Sequence, residues 1–519
     1  MIKRILLIIY KMINKIVDQF KKVHHDNIHL YTTAFRHESI KGPSYQRLEF
    51  LGDSVIHLSL ANYLFNRYNE QDRGFLTKLR IKLENCNSLA HLTKELGLDK
   101  FLQIDGVQIT DSILEDIMES FIGALYLNCS YEDTSFIFIK IIEKYKDISQ
   151  ILYHDDNYKD ILLRYFHHNE WGHPIYKDLY DKTTSDKHKV GVYKGAKLLC
   201  TDIGIVKKNV EQAVSKKALE HYGIIIDGII EPDWYEKLKV DAEVDEDSTP
   251  KISATTRSRY NPQNILFTKW TLYRLLGTYG VRLRNFNITY PSLYAECFTH
   301  RSYLIRSLEM TELDKLEEIR SVAFQPKSYE RLVFLGNAVI HFILSCYLYD
   351  KYSKEREGFL SRLRIKLENK DTLFFLAKQT KLYKYVLFSS KIEEDMNGRN
   401  NVNIVSSIFE SFFGALYLDQ GIKICRTLLI AIIEKELDVE SMGSCETNYK
   451  DLLIALYKKQ GWHGPIYKLD NIEGPDHRKM FTMLVAHPIT GEFLSRATCS
   501  SQKGAERKVA KLAYELLTG

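Results

Sequence analysis

The chain contains two copies of one long sequence unit. The segment GFLTKLRIKLEN at residues 74–85 returns as GFLSRLRIKLEN at residues 358–369, which is 284 positions later. Further along, NYKDILLRYFHHNEWGHPIYK from residue 157 matches NYKDLLIALYKKQGWHGPIYK from residue 448, which is 291 positions later. A period this long is far outside the roughly 20–50 residues of solenoid repeats. The chain is therefore predicted to be a duplicated multidomain unit.

The two copies differ in length at one place and are separated by a stretch of another character. The seven extra residues of the second copy are predicted to lie around EEDMNGRNN at residues 393–401, a loop by its composition. Between the copies, residues 226–265 are mostly polar, acid-rich in the middle and without apolar periodicity. These features are typical of a linker.

Each unit has a helical part followed by a mixed part. In the first part, apolar residues such as Leu48, Leu51, Val55 and Leu58 recur at helical spacing, which predicts an all-helical domain. The second part opens with a helical segment, continues through short strand-like runs and closes with a helix near residues 207–223. The predicted order is α-β-β-β-α.

Composition excludes some classes of protein. Hydrophobic residues make up 45% and charged residues 27% of the 519 residues, which indicates a globular chain. The eight cysteines form no C-x-x-C pair, so we expect reduced thiols and no zinc site. The net charge of +5 is too small to indicate a polyanionic partner by itself.

The N-terminus predicts a leading amphipathic helix at residues 1–24 and not a membrane span. Its uncharged run, residues 5–10, is much shorter than the roughly 20 apolar residues that a spanning helix needs. No small-residue cleavage site follows it. Peripheral membrane contact is the alternative. We expect no signal peptide, no transmembrane segment, no membrane partner and an intracellular, cytoplasmic location.

Four acids of the first unit are candidate ligands of a metal ion. Glu49 and Asp53 are four positions apart, and Asp116 and Glu119 are three apart, so each pair shares one helix face. Acids on helices usually form a solvated surface, but these helices are among the most apolar of the chain. Unpaired carboxylates there would be costly, whereas converging oxygen ligands suit Mg²⁺ or Mn²⁺. The pattern favours metal-dependent phosphodiester hydrolysis.

These motifs resemble the signature of the ribonuclease III family. RLEFLGDSV at residues 47–55 is followed by EDIMESFIGALYL at residues 115–127, and AFRHESI and CFTHRSY match the opening helix motif of that family. The α-β-β-β-α segments resemble double-stranded RNA-binding domains. The resemblance implies two all-α ribonuclease III endonuclease domains that alternate with two α-β-β-β-α double-stranded RNA-binding domains.

The predicted boundaries follow the repeat. After the N-terminal helix at residues 1–24, we place an active ribonuclease III domain at 25–150 and a double-stranded RNA-binding domain at 155–225. The linker at 226–265 leads to a degenerate, inactive ribonuclease III domain at 266–440. A second double-stranded RNA-binding domain follows at 446–519.

The resemblance also implies residue roles. The catalytic, metal-binding acids of the family fall on Glu49, Asp53, Asp116 and Glu119. The same positions of the second unit hold Val333, Asn337, Ser407 and Glu410. Three of the four ligands are missing there, so the second domain is expected to be inactive. The first unit departs from the family at Gln46, where the second keeps the usual acid as Glu330.

Ribonuclease III domains work in pairs, so the resemblance implies that the two domains pair with each other as a pseudo-dimer. Phe50 and Phe334 are candidates for that contact, and a plain core role is the equal alternative. Pairing of two chains through their first domains is a rival arrangement.

The implied function is a double-stranded-RNA endoribonuclease that uses Mg²⁺, with Mn²⁺ able to substitute, and leaves 5′-phosphate and 3′-hydroxyl ends in RNA processing or degradation. One active centre implies that one strand is cut per binding event. A protein that sequesters duplex RNA with vestigial cleavage is the alternative. The candidate RNA-binding residues are His188, Lys207, Lys208, His477, Arg478, Lys503 and Arg507. The alternative is that they form a solvated basic surface without a role in RNA binding.

Overall fold

The structure, a computed structural model, describes residues 28–148, 151, 158–179, 188–226, 229–230, 260–281, 288–305, 321–444, 449–462, 464–473, 480–486, 493–499 and 502–518. The predicted N-terminal helix at residues 1–24 and most of the predicted linker lie outside these ranges. The chain divides into two compact units, Met1–Ile432 and Ile433–Gly519.

The first helical domain of the larger unit is built around two long apolar helices. Its helices are α1 Ile28–Ala34, α2 Gln46–Arg67, α3 Arg73–Glu84, α4 Cys86–Glu95, α5 Asp111–Asn128 and α6 Tyr131–Tyr145. Polar side chains set four of the starts: Asp72, Asn85, Thr110 and Ser130 each accept a hydrogen bond from a backbone N–H of the first turn. Helices α2 and α5 carry the candidate acids.

The second helical domain repeats this plan. Its helices are α9 Lys269–Thr278, α10 Pro291–Cys297, α11 Glu330–Lys351, α12 Glu357–Glu368, α13 Lys370–Gln379, α14 Ser390–Asp395 and α15 Val402–Glu436. Gly421 interrupts α15 with φ of 77°, a conformation that favours glycine. Helix α11 is long and apolar enough to cross a membrane, but 83% of its apolar window is buried inside the protein. It is the core helix of this domain.

The residues that lengthen the second copy are partly helical. The predicted loop at 393–401 contains the end of α14, Ser390–Asp395, and a short 3₁₀ turn at Gly398–Asn400. The guanidinium of Arg399 donates to the carbonyls of Gln263 and Val386, at 3.1 and 3.2 Å. The polar composition hid this short helix, in which Glu393 accepts a hydrogen bond from Asn261, a residue remote in sequence.

A mixed α-β-β-β-α segment follows the first helical domain. Helix α7 Tyr158–His168 precedes strands β1 Ile175–Asp178, β2 His188–Lys194 and β3 Lys197–Gly204, and α8 Lys207–His221 closes the segment. The strands form an antiparallel sheet in the order β1-β2-β3. Its core combines the two helices with one sheet face. A hairpin of two short strands, β4 Ile225–Ile226 and β5 Ile229–Ile230, ends the segment.

The smaller unit contains the second segment with this order of elements. After α16 Val439–Ser444 come helix α17 Tyr449–Lys459, strands β6 Ile466–Glu473, β7 Met480–Ala486 and β8 Phe493–Cys499, and helix α18 Gln502–Thr518. The sheet is again antiparallel, in the order β6-β7-β8. Apolar side chains of both helices pack on one face of it.

The two helical domains contact each other mainly through α2 and α11. Arg47 of α2 donates to the carbonyls of Tyr349 and Tyr352, at 2.7 and 2.8 Å, at the end of α11. Arg331 of α11 donates in return to the carbonyls of Phe65 and Tyr68, at 2.9 and 2.8 Å. Each arginine thus satisfies carbonyls at the C-terminus of the opposite helix. The contact has approximate twofold symmetry, since the two arginines are equivalent in the repeat.

Candidate metal centre and its degenerate counterpart

Two glycines bring the candidate acids of the first domain together. A Cβ at Gly52 of α2 would lie 1.8 Å from the carbonyl oxygen of Glu119, and one at Gly123 of α5 would lie 2.2 Å from that of Leu48. Any larger residue would force the helices apart. Because the backbones touch at this crossing, Glu49 and Glu119 lie side by side.

Three of the four predicted acids form a cluster. Carboxylate oxygens of Glu49, Asp116 and Glu119 lie within 4.8 Å of one another, and all three side chains are half-buried. The hydroxyl of Tyr45 donates to Oδ2 of Asp116 at 3.0 Å. In the part of the chain that the structure describes, no lysine or arginine forms an ion pair with these three acids. The cluster therefore offers oxygen ligands and uncompensated negative charge.

The pKa values of these acids reflect burial and mutual repulsion. Burial, followed by the charge of Asp116, raises the pKa of Glu49 to about 8. Burial raises the pKa of Asp116 to about 6, although the hydrogen bond from Tyr45 opposes this change. Burial and then the charges of Asp53 and Glu49 raise the pKa of Glu119 well above its usual range. A divalent cation would remove this repulsion, so the donor set fits Mg²⁺ or Mn²⁺.

The fourth acid, Asp53, binds the second helical domain instead. Its Oδ2 lies 3.5 Å from Nε2 of His341 and 3.3 Å from Nη1 of Arg364. Burial alone would raise the pKa of Asp53, but the hydrogen bond from His341 and the charges of His341 and Arg364 hold it well below its usual range. Asp53 is thus ionised beside the cluster, not within it.

The equivalent centre of the second domain has the same backbone and different side chains. A Cβ at Gly336 would lie 1.7 Å from the carbonyl oxygen of Glu410, so this crossing is equally close. Val333 is fully buried, and Nδ2 of Asn337 donates to Oε1 of Glu410 at 2.9 Å. Ser407, three residues before Glu410 in the sequence, is half-buried. The remaining carboxylate, Glu410, has an amide partner, and the centre lacks the converging oxygens of the first.

Residues across the domain contact change the charge of each centre. Glu357 of the second domain raises the pKa of both Glu49 and Asp116 through its negative charge, after the effect of their burial. At the equivalent place, Arg73 of the first domain lies 3.3 Å from the Glu330 carboxylate. The second domain therefore adds a negative charge near the first centre, whereas the first domain adds a positive charge near the second centre.

Phe50 and Phe334 both lie at the domain contact. The guanidinium of Arg364 lies 4.8 Å from the ring centre of Phe50, and that of Arg80 lies 5.1 Å from the ring centre of Phe334. Each ring therefore meets a cation of the opposite domain. Both rings are also buried, with 3% exposure.

The candidate RNA-binding residues are only partly within the described ranges. His188 begins β2 and is exposed, and Lys207 and Lys208 are exposed in the first turn of α8. Lys207 pairs with Asp178 at 2.6 Å. Arg507 is exposed on α18. His477, Arg478 and the side chain of Lys503 lie outside the described part.

Sequence reasoning missed four residues around the first centre: Tyr45, His341, Glu357 and Arg364. Tyr45 lies two residues before the RLEFLGDSV motif and directly precedes α2, so its position could have indicated it. The other three belong to the second domain. Their relevance follows only from the contact between the domains, which no spacing within one copy reveals.

Comparison with known families matches three parts of the chain. Residues 46–130 match the ribonuclease III domain, residues 291–437 match a ribonuclease-III-like domain, and residues 449–517 match the double-stranded RNA binding motif. A helical nuclease domain with an acid cluster, a second helical domain and an RNA-binding motif define a class of endoribonucleases.

Relatives identify the family within that class. The chain is 43% identical over 501 residues to the probable ribonuclease 3 of Acanthamoeba polyphaga mimivirus, covering 94% of this chain and 91% of that relative. It is 35% identical over 193 residues to ribonuclease 3 of Aliarcobacter butzleri, covering 37% and 85%. The nuclease domain of ribonuclease III from Campylobacter jejuni is 26% identical, with a TM-score of 0.25, covering 32% and 98%. The chain belongs to the ribonuclease III family of endoribonucleases.

Proposed function

We propose that this chain hydrolyses double-stranded RNA at one cleavage centre, built on the first helical domain, and that the second helical domain is its non-cleaving partner. The observation that carries the proposal is the cluster of Glu49, Asp116 and Glu119 in one domain, facing an equivalent centre without it in the other. The reciprocal contacts of Arg47 and Arg331 support an internal pair of domains.

The acids of the first centre would hold a divalent metal ion, Mg²⁺ or Mn²⁺. Glu49, Asp116 and Glu119 supply its oxygen ligands, and Asp53 lies next to them. When bound, such an ion stabilises negative charge on the transferring phosphoryl group and makes water a better nucleophile. Tyr45 orients Asp116 through its hydroxyl. Hydrolysis of this kind leaves 5′-phosphate and 3′-hydroxyl ends.

The mixed segments would bind the RNA duplex. The match of residues 449–517 to the double-stranded RNA binding motif supports this role for α17 to α18, with exposed Arg507 as a phosphate contact. The segment from α7 to α8 has the same order of elements, which supports a second such domain with His188, Lys207 and Lys208 facing RNA. Recognition would depend on A-form shape, with little sequence preference. The chain would act inside the cell.

The experiment that tests this function uses a duplex labelled at the 5′ end of both strands. With Mg²⁺ and a single turnover, we expect one strand of each duplex to be cut. Denaturing gels then show cleavage, while native gels show an intact, nicked duplex. Double cuts by isolated monomer would contradict the single centre, and no cut in either strand would favour a protein that only sequesters RNA.

The rival arrangement is a homodimer through the first domains, which would contain two complete centres. Its signature is double cutting that rises with protein concentration together with a dimer in analytical ultracentrifugation. Internal pairing instead gives nicking that is independent of self-association.

A further inference from the structure

The same group of three side chains occurs in both helical domains, at the contact between them. Each group is a histidine and an arginine that bind one glutamate: His57, Arg80 and Glu84 in the first domain, and His341, Arg364 and Glu368 in the second. The distances from the cations to the glutamate lie between 3.0 and 3.5 Å. The rings of the two histidines stack across the contact, with centres 4.7 Å apart.

The two groups differ in one partner. In the second domain, Nε2 of His341 and Nη1 of Arg364 both approach Oδ2 of Asp53 from the first domain. In the first domain, the equivalent atoms are Nε2 of His57 and Nη1 of Arg80. These two buried atoms have no hydrogen-bond partner among the described residues. Asn337, which occupies the place of Asp53 in the second domain, donates its amide to Glu410.

We propose that His341 and Arg364 are positioning residues that the non-cleaving domain supplies to the cleavage centre. They hold the Asp53 carboxylate by its Oδ2 next to the cluster, which leaves its Oδ1 available to a divalent cation held by the three clustered acids. This inference rests on the proposed function of the acid cluster. Outer-shell partners that orient a ligating carboxylate typically contribute about 10–100-fold to metal affinity or activity.

This role gives the second domain a reason to retain these cations after the loss of its own acids. Its Arg364 and His341 act on the centre of the other domain, so losing the acids of its own centre leaves their role intact. The buried histidine–arginine–glutamate group also packs in the first domain, where Nε2 of His57 and Nη1 of Arg80 hydrogen-bond to no carboxylate across the contact among the described residues. Packing therefore contributes in both domains, and positioning is expected in only one.

The test compares Arg364→Met with Arg80→Met in the full-length chain. Both variants lose an ion pair with their own glutamate and a contact with a phenylalanine ring, while Arg364→Met also loses contacts with Asp53 and Ser345, so its unfolding temperature should fall at least as far as that of Arg80→Met. Calorimetric titration with Mn²⁺ alone should show about 10–100-fold weaker binding for Arg364→Met. Binding to Arg80→Met should equal that of the wild type. Single-turnover cleavage should need correspondingly more Mn²⁺ only in Arg364→Met, and Arg364→Lys should restore part of the affinity.

A second matched pair, His341→Phe and His57→Phe, repeats the comparison with the ring retained. Equal Mn²⁺ affinities within both pairs would show that the group is structural and would overturn the inference while leaving the proposed function intact. A wild-type chain that binds no Mn²⁺ and cuts no duplex would overturn the proposed function and the inference together.

Discussion

The two centres of the larger unit have the same backbone arrangement but different side chains. In the first, Gly52 lets α2 and α5 touch and Glu49 projects beside Glu119; in the second, Gly336 allows the same crossing and Val333 fills the place of the acid. The glycines are required by packing, since any Cβ would collide with a backbone carbonyl. Under the proposed function, the acids are required only in the first centre, where they would hold a divalent cation. Comparing the centres therefore separates what the fold needs from what hydrolysis needs.

The largest expected difference is between Glu119→Gln and Glu410→Gln. We expect Glu119→Gln to lower the cleavage rate more than about 100-fold, since even outer-shell partners of metal ligands contribute 10–100-fold. Glu410→Gln should leave the rate unchanged, because Glu410 already binds an amide. Gel-shift assays on uncleaved duplex should show wild-type RNA affinity for both variants. Cleavage by Glu119→Gln at the normal rate would place the centre elsewhere.

Substitution of the crossing glycines should affect the two domains equally. Gly52→Ala and Gly336→Ala each put a methyl group less than 2 Å from a carbonyl oxygen, at 1.8 and 1.7 Å. Overpacking of this kind reduces the free energy of unfolding by about 1–3 kcal/mol, or more where backbone must move. Urea denaturation of both variants measures the effect. A clear loss of stability in only one variant would show that the two helix crossings are not equivalent.

The pH dependence of stability should reveal the repulsion in the first centre. The pKa values of Glu49, about 8, and Asp116, about 6, exceed their unfolded values, so the folded chain binds more protons in this range. At about 1.4 kcal/mol per pH unit for each group, the free energy of unfolding should fall as pH rises from about 5 to 8.5, by up to about 5 kcal/mol for the two groups together. Asp53 has the opposite shift, and its contribution is lost only in acid.

Denaturation in a chelator measures this slope, and Glu49→Gln provides the control. The variant should have a flatter profile, because it lacks the carboxyl group whose pKa is raised to about 8. Added Mg²⁺ should restore stability at high pH in the wild type only. An unchanged slope in Glu49→Gln would place the repulsion outside this cluster.

The smallest expected effect concerns Tyr45. Tyr45→Phe removes the hydroxyl that donates to Asp116 and should weaken Mn²⁺ binding by up to about tenfold. Tyr329→Phe is the matched control. Position 407, equivalent to Asp116, is serine, so this variant loses no hydrogen bond to a carboxylate there. Calorimetry with both variants measures the difference, and equal affinities would show that this hydrogen bond is dispensable.

Most of the helical plan could be predicted from the sequence, because the repeat aligned the motifs and apolar spacing defined the helices. Both mixed segments contain the expected α-β-β-β-α order. The short helix α14 was missed, because its polar composition is typical of a loop and the contact of Glu393 with Asn261 is remote in sequence. The convergence of Glu49, Asp116 and Glu119 followed from spacing and apolar surroundings. The position of Asp53 did not, because its partners belong to the other domain.

The contact of α2 with α11 inside one polypeptide also has a genetic consequence. In an assembly of two identical chains, every codon change appears twice, so both sites must keep or lose an acid together. Fusion of the halves gives each site its own codons. One chain can therefore contain Val333, Asn337 and Ser407 in one half and Glu49, Asp53 and Asp116 in the other.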